Sequence, residues 1–426
     1  NGNNIFSIFD NKGVFMNAEA LTAIAVSEIF KNVYSEAITF LKKKSSQFKN
    51  IDADPTLAYR RGLNVEQVKT IWQVDKSVNI SSFYYPSKLN IDNKQIMIES
   101  LQDLPLEGKI IIQGTAGQGK SIFLRYLASK ELKSGTRIPL FIELRKISEK
   151  KSLENLIIEG LDEIGVQTDV QGLKVIFESN KFTLLLDAFD EIPEVQVKET
   201  LSYIEPVCEK YHFLQVIISS RPHSEVQKLS VFDVYNLSPI TPSDYRPMLN
   251  KFFLSQEDEG EVENIVSSIH KSGNNISQLI TTPLLLTLLT IRYKGVNKIP
   301  ENANEFYEDI FSLLASRHDS SKPGFIREYS SDLNVNQLEI LFHGFCFYSM
   351  LYQYISLTRT QAHKTIREAS KIVGIFPKSE SSFLSDCIKN TCLMVEEGGE
   401  YHFIHKSIRE YHAARYIKDG EDHLKI

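Results

Sequence analysis

The stretch KIIIQGTAGQGKSIFLRYLASKEL, residues 109–132, decides the fold of this chain. It starts as a short apolar run, passes through a glycine-rich turn and continues as a segment whose apolar residues have helical spacing. Residues 114–121 fit the pattern G-x-x-x-x-G-K-S. In that pattern the glycines let backbone N–H groups wrap closely around a phosphate, and the following helix presents its positive end to the same anion. The stretch therefore predicts a strand, a phosphate-binding loop (P-loop) and a helix, in that order.

Two side chains at the end of the loop have the most specific chemistry. Lys120 is expected to reach the β- and γ-phosphates of a nucleotide, and the Ser121 hydroxyl is expected to ligate Mg²⁺. The implied cofactors are ATP or ADP and Mg²⁺. The nucleotide-binding residues predicted from the loop are Gly114, Thr115, Ala116, Gly117, Gln118, Gly119, Lys120 and Ser121.

A second apolar run, LLLDAFDE at residues 184–191, supplies the carboxylates that such a loop needs. Asp187 stands where the strand ends. Together with Ser121 it is a candidate residue for binding Mg²⁺. Asp190 and Glu191 follow on the loop, and either could orient or deprotonate an attacking water. The sequence leaves the choice between these two acids open.

A third apolar run, residues 214–219, leads into Ser220, Arg221 and Pro222. An arginine at the carboxyl edge of a parallel sheet points at the crevice where nucleotides bind. Arg221 is therefore predicted to contact the γ-phosphate and to distinguish ATP from ADP, and it joins Asp190 and Glu191 as a catalytic candidate. The alternative for Arg221 is a surface salt bridge.

Apolar periodicity divides the chain into four predicted domains. Residues 1–80 indicate a small helical N-terminal domain with helices at 18–41 and 64–72. Residues 81–240 alternate apolar runs with amphipathic segments, which indicates an α/β nucleotide-binding domain with a parallel sheet covered on both faces. Its predicted strands are 109–113, 139–144, 182–186, 214–219 and 231–237, and its predicted helices are 121–132, 153–164, 170–178 and 195–209.

Strand signals stop past Pro242. Residues 241–318 indicate a helical domain, with helices at 244–253, 261–270, 276–293 and 304–315. In residues 319–426, helices at 334–351, 361–373 and 381–389 precede a hairpin around Gly398 and Gly399 and a closing helix at 406–417. That order is typical of a winged-helix domain. The predicted fold class is α/β: a P-loop NTPase parallel sheet followed by a helical and a winged-helix domain, with a small helical N-terminal unit.

Composition excludes several classes of protein. Forty-eight Lys and Arg against 54 Asp and Glu leave a net charge of −6, which argues against a generic basic nucleic-acid binder. Four cysteines without metal-ligand spacing argue against a disulfide-built secreted fold and for a reducing, cytoplasmic location. No stretch approaches the roughly 18 uncharged apolar residues of a spanning helix, so no membrane span is expected.

The chain resembles the NACHT family of STAND signal-transducing P-loop ATPases. The resemblance rests on five motifs that occur in the order GTAGQGKS, LLLDAFDE, IISSRP, TTPLLLTLL and FIHKSIREYHAA, and it runs from about residue 83 to residue 417. The paired acids after the apolar strand are a distinguishing feature of that family. Ala188 stands where the family usually has glycine, and alanine is small enough to keep the match.

The resemblance implies further nucleotide contacts. Tyr84 and Tyr85, in the stretch SFYYP, are similar to residues that line the adenine pocket. Pro283 resembles the proline of the helical domain that packs on the adenine. His405 resembles the winged-helix histidine that contacts the β-phosphate of ADP and holds the domains closed, a contact that would exist only in the compact state.

The implied function is a switch with slow ATP hydrolysis. ADP keeps the chain closed, and exchange to ATP opens it and permits assembly into a homo-oligomer, in response to an unknown trigger. The setting that the resemblance favours is innate immunity, namely anti-phage defence in a bacterium. Sensor regions in this family usually follow the winged helix, so these residues do not reveal the trigger.

Two other functions remain open from the sequence. One is a constitutive ATPase motor of AAA+ type, which would turn over rapidly and require an arginine from a neighbouring subunit. The other is an adaptor that binds nucleotide only for structure, against which the acids at residues 187–191 argue.

Overall fold

A computed structural model describes residues 18–68, 70, 76–115, 117–252, 259–271, 274–296, 300, 306, 329–354, 356–391, 393–397, 399–403 and 406–424. The centre of the described structure is a seven-stranded sheet in the order β4-β3-β9-β5-β8-β7-β6. Its strands are β3 (Lys88–Ile91), β4 (Lys94–Met97), β5 (Lys109–Gln113), β6 (Ile138–Glu143), β7 (Phe182–Asp187), β8 (Gln215–Ser220) and β9 (Asp233–Leu237).

The five strands predicted from apolar runs are neighbours in this sheet. β9, β5, β8, β7 and β6 pair in parallel, with Ile111 opposite Ile218 and Glu143 opposite Asp187. Their carboxyl ends therefore meet at one edge, where a ligand crevice is expected. The predicted P-loop NTPase sheet is confirmed in its parallel part.

The sheet also contains two antiparallel strands that the sequence analysis missed. β3 pairs antiparallel with both β4 and β9, so the sheet is mixed rather than wholly parallel. Asp92 and Asn93 connect β3 to β4 with φ of 50° and 62°, the left-handed pair that suits a tight hairpin. All four residues of β4 are exposed, which explains why no apolar run marks this strand.

Helices cover both faces of the sheet, as predicted. Ile110 and Ile112 of β5 pack with Phe123 of helix α4, whereas Ile111 packs in a second cluster on the opposite face. The helices of this region are α4 (Lys120–Ser134), α5 (Leu153–Glu163), α6 (Val170–Glu178) and α7 (Glu194–Lys210).

The N-terminal helices pack on the second of these clusters. The elements before the sheet are α1 (Ala18–Lys44), α2 (Pro55–Gly62), β1 (Gln67–Val68), β2 (Val78–Asn79) and α3 (Ile80–Phe83). The buried hydroxyl of Tyr34 on α1 donates to the carbonyl of Ile164 at 2.7 Å. The N-terminal helices are therefore continuous with the core of the α/β region.

The predicted helix at 64–72 is wrong where the structure describes it. Residues 63–66 form a 3₁₀ turn, and β1 then pairs antiparallel with β2. Glu66 is buried. It accepts hydrogen bonds from Asn79 and Ser129 and forms an ion pair with Lys133. These tertiary contacts override the helical pattern; residues 69 and 71–75 lie outside the described residues.

Within the described residues 242–296, four helices follow the sheet: α8 (Pro242–Phe252), α9 (Glu259–Lys271), α10 (Asn274–Ser277) and α11 (Pro283–Val296). The single helix predicted at 276–293 is wrong, because the chain turns between α10 and α11. Pro283 has no N–H to continue a helix and is suited to start one, and the Thr282 hydroxyl accepts from Leu285 N. Of the helix predicted at 304–315, only residue 306 is described.

The C-terminal unit, defined here as described residues 329–424, contains α12 (Val335–Leu351), β10 (Leu357–Thr358), α13 (Arg359–Val373), α14 (Glu380–Lys389), β11 (Met394–Glu397), β12 (Glu400–Phe403) and α15 (Lys406–Leu424). The predicted hairpin is confirmed, since β11 pairs antiparallel with β12, and β10 adds to its other side. The winged-helix assignment and the four domain boundaries stay predictions. One hydrophobic cluster joins this unit to helices α8–α11. None of the helices within the described ranges combines the length and apolarity that crossing a membrane requires.

Candidate functional site

A cavity of about 520 Å³ lies at the carboxyl edge of the parallel strands, between the sheet and helices α8 and α11. It is lined by the β1–β2 region, the stretch around Tyr84 and Tyr85, the P-loop with the start of α4, the ends of β6, β7 and β8 with the loops that follow them, and helices α8 and α11. The predicted site residues that line it are Tyr84, Tyr85, Gly117, Gln118, Gly119, Lys120, Ser121, Asp187, Asp190, Glu191, Arg221 and Pro283. Residues from most of the predicted motifs therefore meet in one place.

The P-loop has the backbone that its glycines predict. Gly117 and Gly119 have φ of 77° and 86°, the left-handed region that glycine enters without steric penalty. Helix α4 begins at Lys120 directly after Gly119, so its positive end faces the cavity. The Lys120 Nζ donates to the carbonyl oxygens of Gly114 and Thr115 at 2.7 and 3.1 Å. The loop thus presents an ammonium and a helix N-terminus to the same space.

Asp187 ends β7 and is almost fully buried, with 1% of its surface exposed. Its Oδ1 accepts a hydrogen bond from Ser219 Oγ at 2.6 Å, and within the described part of the chain Oδ2 accepts none. Burial raises the pKa of this carboxyl, and the hydroxyls of Ser219 and Ser121 oppose that rise. A buried carboxylate oxygen without a donor, close to a serine hydroxyl, fits a hydrated divalent cation. The residues present therefore fit the predicted Mg²⁺ site, in which Ser121 and Asp187 would be the protein groups that bind the ion.

Asp190 and Arg221 form an ion pair at the cavity wall. Arg221 Nε lies 2.9 Å from Asp190 Oδ2, and the backbone N–H of Arg221 donates to Asp190 Oδ1 at 3.1 Å. The two side chains are 14% and 13% exposed. The predicted alternative of a salt bridge for Arg221 is therefore present, although the pair is largely buried and lies at the cavity.

Arg221 also contacts the C-terminal unit. Its Nη1 donates to the carbonyl of Ile388 at 2.7 Å, and its Nη2 lies 3.4 Å from the carbonyl of Lys389. These two carbonyls end helix α14, where helix carbonyls lack intrahelical partners and the dipole favours a cation. One guanidinium thus joins the loop after β7, the end of β8 and a helix about 167 residues further along the chain.

A cluster of charges beside Glu191 was missed by the sequence analysis. Glu143 at the end of β6 pairs with Arg125, Arg145 and Lys146, and Arg145 Nη1 lies 3.9 Å from Glu191 Oε2. These cations outweigh the effect of burial and lower the pKa of Glu143. All five residues line the cavity. The available signal was the position of ELRK directly after an apolar run, at the same sheet edge as Asp187.

The aromatic residues before the sheet lie on the other side of the cavity. Tyr84 is buried against Tyr126 of α4, with ring centroids 4.2 Å apart, and burial raises its pKa. The Tyr85 hydroxyl donates to Asp244 Oδ1 at 3.2 Å, and Lys88 pairs with the same carboxylate at 2.6 Å. Tyr85 is therefore held against helix α8.

Helix α11 approaches the P-loop directly. Pro283 begins the helix at the cavity, and the Leu284 N–H donates to the Gly117 carbonyl at 3.2 Å. A Cβ on Gly117 would lie 2.8 Å from Leu284 side-chain atoms, so this approach requires glycine. Gly114 and Thr115 adjoin the cavity through their contacts with Lys120. Two predicted site residues, Ala116 and His405, lie outside the described residues.

The NACHT domain family model matches residues 109–256, which include β5, the P-loop, Asp187, Asp190, Glu191 and Arg221. No curated protein is similar enough to this chain to count as a match.

Solved structures are similar only distantly. A Walker-type ATPase of Pyrococcus abyssi has 13% identity over 74% of this chain and 92% of its own, with a TM-score of 0.42. Cdc6p of Pyrobaculum aerophilum has 12% identity over 73% and 88%, with a TM-score of 0.31. A STAND protein with a tetratricopeptide repeat sensor from Pyrococcus horikoshii has 16% identity over 78% of this chain and 44% of its own, with a TM-score of 0.28.

The family assignment rests on the motif match rather than on these superpositions. The matched residues include the loop, the buried acid at the end of β7 and the acids that follow it. Residues 109–256 therefore match a NACHT domain, and they contain the P-loop and the acids that follow β7.

Proposed function

We propose that this protein is a nucleotide-controlled switch that binds ATP or ADP with Mg²⁺ in the cavity at the sheet edge and hydrolyses ATP slowly. The observation that supports the switch most directly is the position of Arg221. Its guanidinium lines the cavity and at the same time contacts the last carbonyls of α14. A group in that position can respond to the ligand and change the contact with the C-terminal unit.

In this proposal the P-loop holds the phosphates. The backbone N–H groups at residues 117–121 and the start of α4 bind them, and Lys120 exchanges its contacts with the Gly114 and Thr115 carbonyls for phosphate oxygens. Ser121 and Asp187 hold Mg²⁺, directly or through water. The metal, when bound, supplies neutralisation of charge on the phosphoryl oxygens. Tyr84, Tyr85 and Pro283 line the side of the cavity proposed for the base.

Between the two loop acids, we assign the catalytic role to Glu191. Asp190 accepts from both the side chain and the backbone of Arg221, so its carboxylate is committed to positioning that arginine. Glu191 lies in the same loop beside Arg145, on the side of the cavity that Asp187 shares. In this role Glu191 orients the attacking water and accepts its proton, while Asp190 acts through Arg221.

The switching step uses the two possible partners of Arg221. With ADP, Arg221 stays on the α14 carbonyls and the C-terminal unit stays docked. With ATP, Arg221 turns to the γ-phosphate and releases those carbonyls. The two nucleotides then favour different conformations, which a switch requires because equal binding to both would shift nothing. His405 is proposed to contact the β-phosphate in the closed form.

Further parts of the proposal rest on the family resemblance. The released form assembles with other copies of the chain, a partner or ligand of unknown identity triggers the exchange, and the setting is cytoplasmic anti-phage defence. In this proposal the domains that move relative to one another are separated at residues 80, 240 and 318. Nucleic acid is not a proposed partner of this region.

The first experiment identifies the nucleotide released when the purified protein is denatured. Near-stoichiometric ADP is the expected result, because a closed switch retains its product. Lys120→Ala should remove the nucleotide, whereas Lys150→Ala, at an exposed lysine, should retain it. Nucleotide retention in Lys120→Ala equal to that of the wild type would refute the P-loop assignment.

A second experiment separates binding from hydrolysis. Glu191→Gln should bind ATP with nearly wild-type affinity but hydrolyse it at least about 100-fold more slowly, as expected when a general base is lost. Single-turnover hydrolysis measures this directly. Undiminished turnover in that variant would exclude Glu191 as the base, and rapid multiple turnover by the wild type without a trigger would favour a motor over a switch.

A further inference from the structure

The side chain of Gln118 lies inside the P-loop rather than pointing away from it. Gln118 is only 9% exposed. Its Oε1 accepts a hydrogen bond from the Thr115 N–H, three residues earlier, and its Nε2 donates to the Leu237 carbonyl at 3.2 Å. Both ends of this amide are therefore used, one within the loop and one outside it.

The contact within the loop shapes the loop itself. A Cβ on Gly114 would lie 2.7 Å from Gln118 Oε1 and 3.2 Å from a Leu237 methyl group. A side chain at position 114 would therefore have to displace the Gln118 amide or the Leu237 side chain. By accepting from Thr115, Gln118 closes the beginning of the loop, whereas Gly119 and Lys120, directly after it, line the cavity.

The contact outside the loop reaches the connection to the helices. Leu237 is the last residue of β9, and the chain then runs to helix α8. On that connection the Ile240 N–H donates to the Thr281 carbonyl at 3.0 Å, two residues before Pro283 begins α11. Gln118 thus holds the P-loop to the segment from which the helical region starts, beside the separate backbone contact between Leu284 and Gly117.

We infer that Gln118 is a positioning residue of the nucleotide site: its amide presets the P-loop for phosphate and ties the loop to the end of β9. This inference rests on the proposed binding of ATP or ADP. It adds that affinity depends on a side chain that does not itself contact phosphate. Without the amide, the loop occupies its binding-competent conformation for only a fraction of the time, and the apparent Kd rises by the inverse of that fraction.

The test measures Kd for ATP and ADP in the full chain with Gln118→Leu and Gln118→Glu. Gln118→Leu has similar volume but leaves the Thr115 N–H and the Leu237 carbonyl without partners. Its Kd should rise at least about tenfold for both nucleotides, the change expected when buried hydrogen bonds of this kind are lost. The matched control is Gln171→Leu, the same change at an exposed glutamine, which should leave Kd unchanged.

Gln118→Glu provides a readout that a general loss of stability would not produce. The ionised carboxylate can accept from Thr115 but faces the Leu237 carbonyl without a proton to donate. The protonated carboxyl restores both hydrogen bonds, and burial favours that form. The affinity of Gln118→Glu relative to the wild type should therefore recover several-fold between pH 8 and pH 5.5, whereas the ratio for Gln118→Leu should stay constant.

The outcomes separate this inference from the proposed function. A wild-type chain that binds neither nucleotide would overturn the proposed function and the inference with it. Wild-type binding together with a Gln118→Leu Kd within about twofold of the wild type would overturn the inference alone. If Gln118→Leu does not fold, as judged by circular dichroism, a pH-independent affinity ratio for Gln118→Glu overturns it instead.

Discussion

Removing the guanidinium of Arg221 should loosen the C-terminal unit by a predictable amount. In Arg221→Ala, the Ile388 carbonyl loses its charged donor, and Asp190 loses its ion-pair partner in a place where it is only 13% exposed. Hydrogen bonds to charged groups contribute about 1.5–3 kcal/mol each. Because the Lys389 contact is long at 3.4 Å and water can enter after the change, we expect a net loss of about 2–3 kcal/mol. That loss corresponds to an increase of about 30- to 150-fold in the undocked population.

Hydrogen exchange of the backbone amides at residues 380–391 measures this change. With ADP present, Arg221→Ala should exchange faster there by a factor in that range, provided that exchange follows the opening equilibrium. In the wild type, a non-hydrolysable ATP analogue should speed exchange at the same residues. In Arg221→Ala the analogue should add little, because the group that responds to it is gone.

Arg367 on α13 provides the matched control, because it also pairs with a residue of α14. Its Nη1 lies 3.1 Å from Glu380 Oε1 on α14, but the arginine side chain is 54% exposed. An exposed ion pair of this kind contributes about 0–1 kcal/mol, so Arg367→Ala should raise exchange no more than about fivefold. Exchange in Arg221→Ala equal to that of Arg367→Ala would refute the assignment of Arg221 as the connection to the C-terminal unit.

Three other changes test the site. Burial raises the pKa of Asp187, so its ionisation destabilises the fold as pH rises above the ordinary carboxyl value of 3.8. In thermal melts without Mg²⁺ or nucleotide, Asp187→Asn should therefore be more stable than the wild type at pH 8 and lose that advantage near pH 4. The same variant should lose Mg²⁺-dependent hydrolysis. Gly117→Ala places a Cβ 2.8 Å from Leu284 at a φ of 77°, and we expect it to weaken ADP affinity at least about tenfold by calorimetry. Ala188 has φ 62° and ψ 58°, so Ala188→Gly should change the unfolding free energy by less than about 1 kcal/mol and Ala188→Val should lower it by about 2 kcal/mol or more in urea titrations.

The sequence predicted those parts of the site that depend on local pattern. The P-loop follows from glycine and lysine spacing, and Asp187 follows from its place at the end of an apolar run, because parallel strands bring their carboxyl ends together. The position of Arg221 at the cavity was predicted for the same reason. These predictions require only the position of the carboxyl edge of the parallel sheet. Runs of β-branched residues and leucine mark the strands, and the ends of those runs mark that edge.

The partners of these residues could not be predicted in the same way. No spacing rule places Ile388 beside Arg221 or Leu237 beside Gln118, because both contacts depend on how separate segments pack. Glu143 was missed since a glutamate after a strand is usually solvated, and only the three cations around it mark it as part of the cavity. The antiparallel strand β4 was missed because its residues are exposed at the sheet edge, and β3 was missed because only Leu89 of its four residues is buried.

Lys120 and Arg221 differ in the contacts that each must give up to bind a phosphate, and this difference bears on how ATP and ADP are distinguished. Lys120 donates to the neutral carbonyls of Gly114 and Thr115, so exchanging them for an anionic phosphate is favourable. Arg221 is already paired with the carboxylate of Asp190 and with a helix end, so it gains less from a phosphate and loses a contact between units. Under the proposed function, Lys120 would bind either nucleotide, whereas Arg221 would move only for a γ-phosphate. The ion pair with Asp190 then sets how strongly ATP must bind the open form before the C-terminal unit is released.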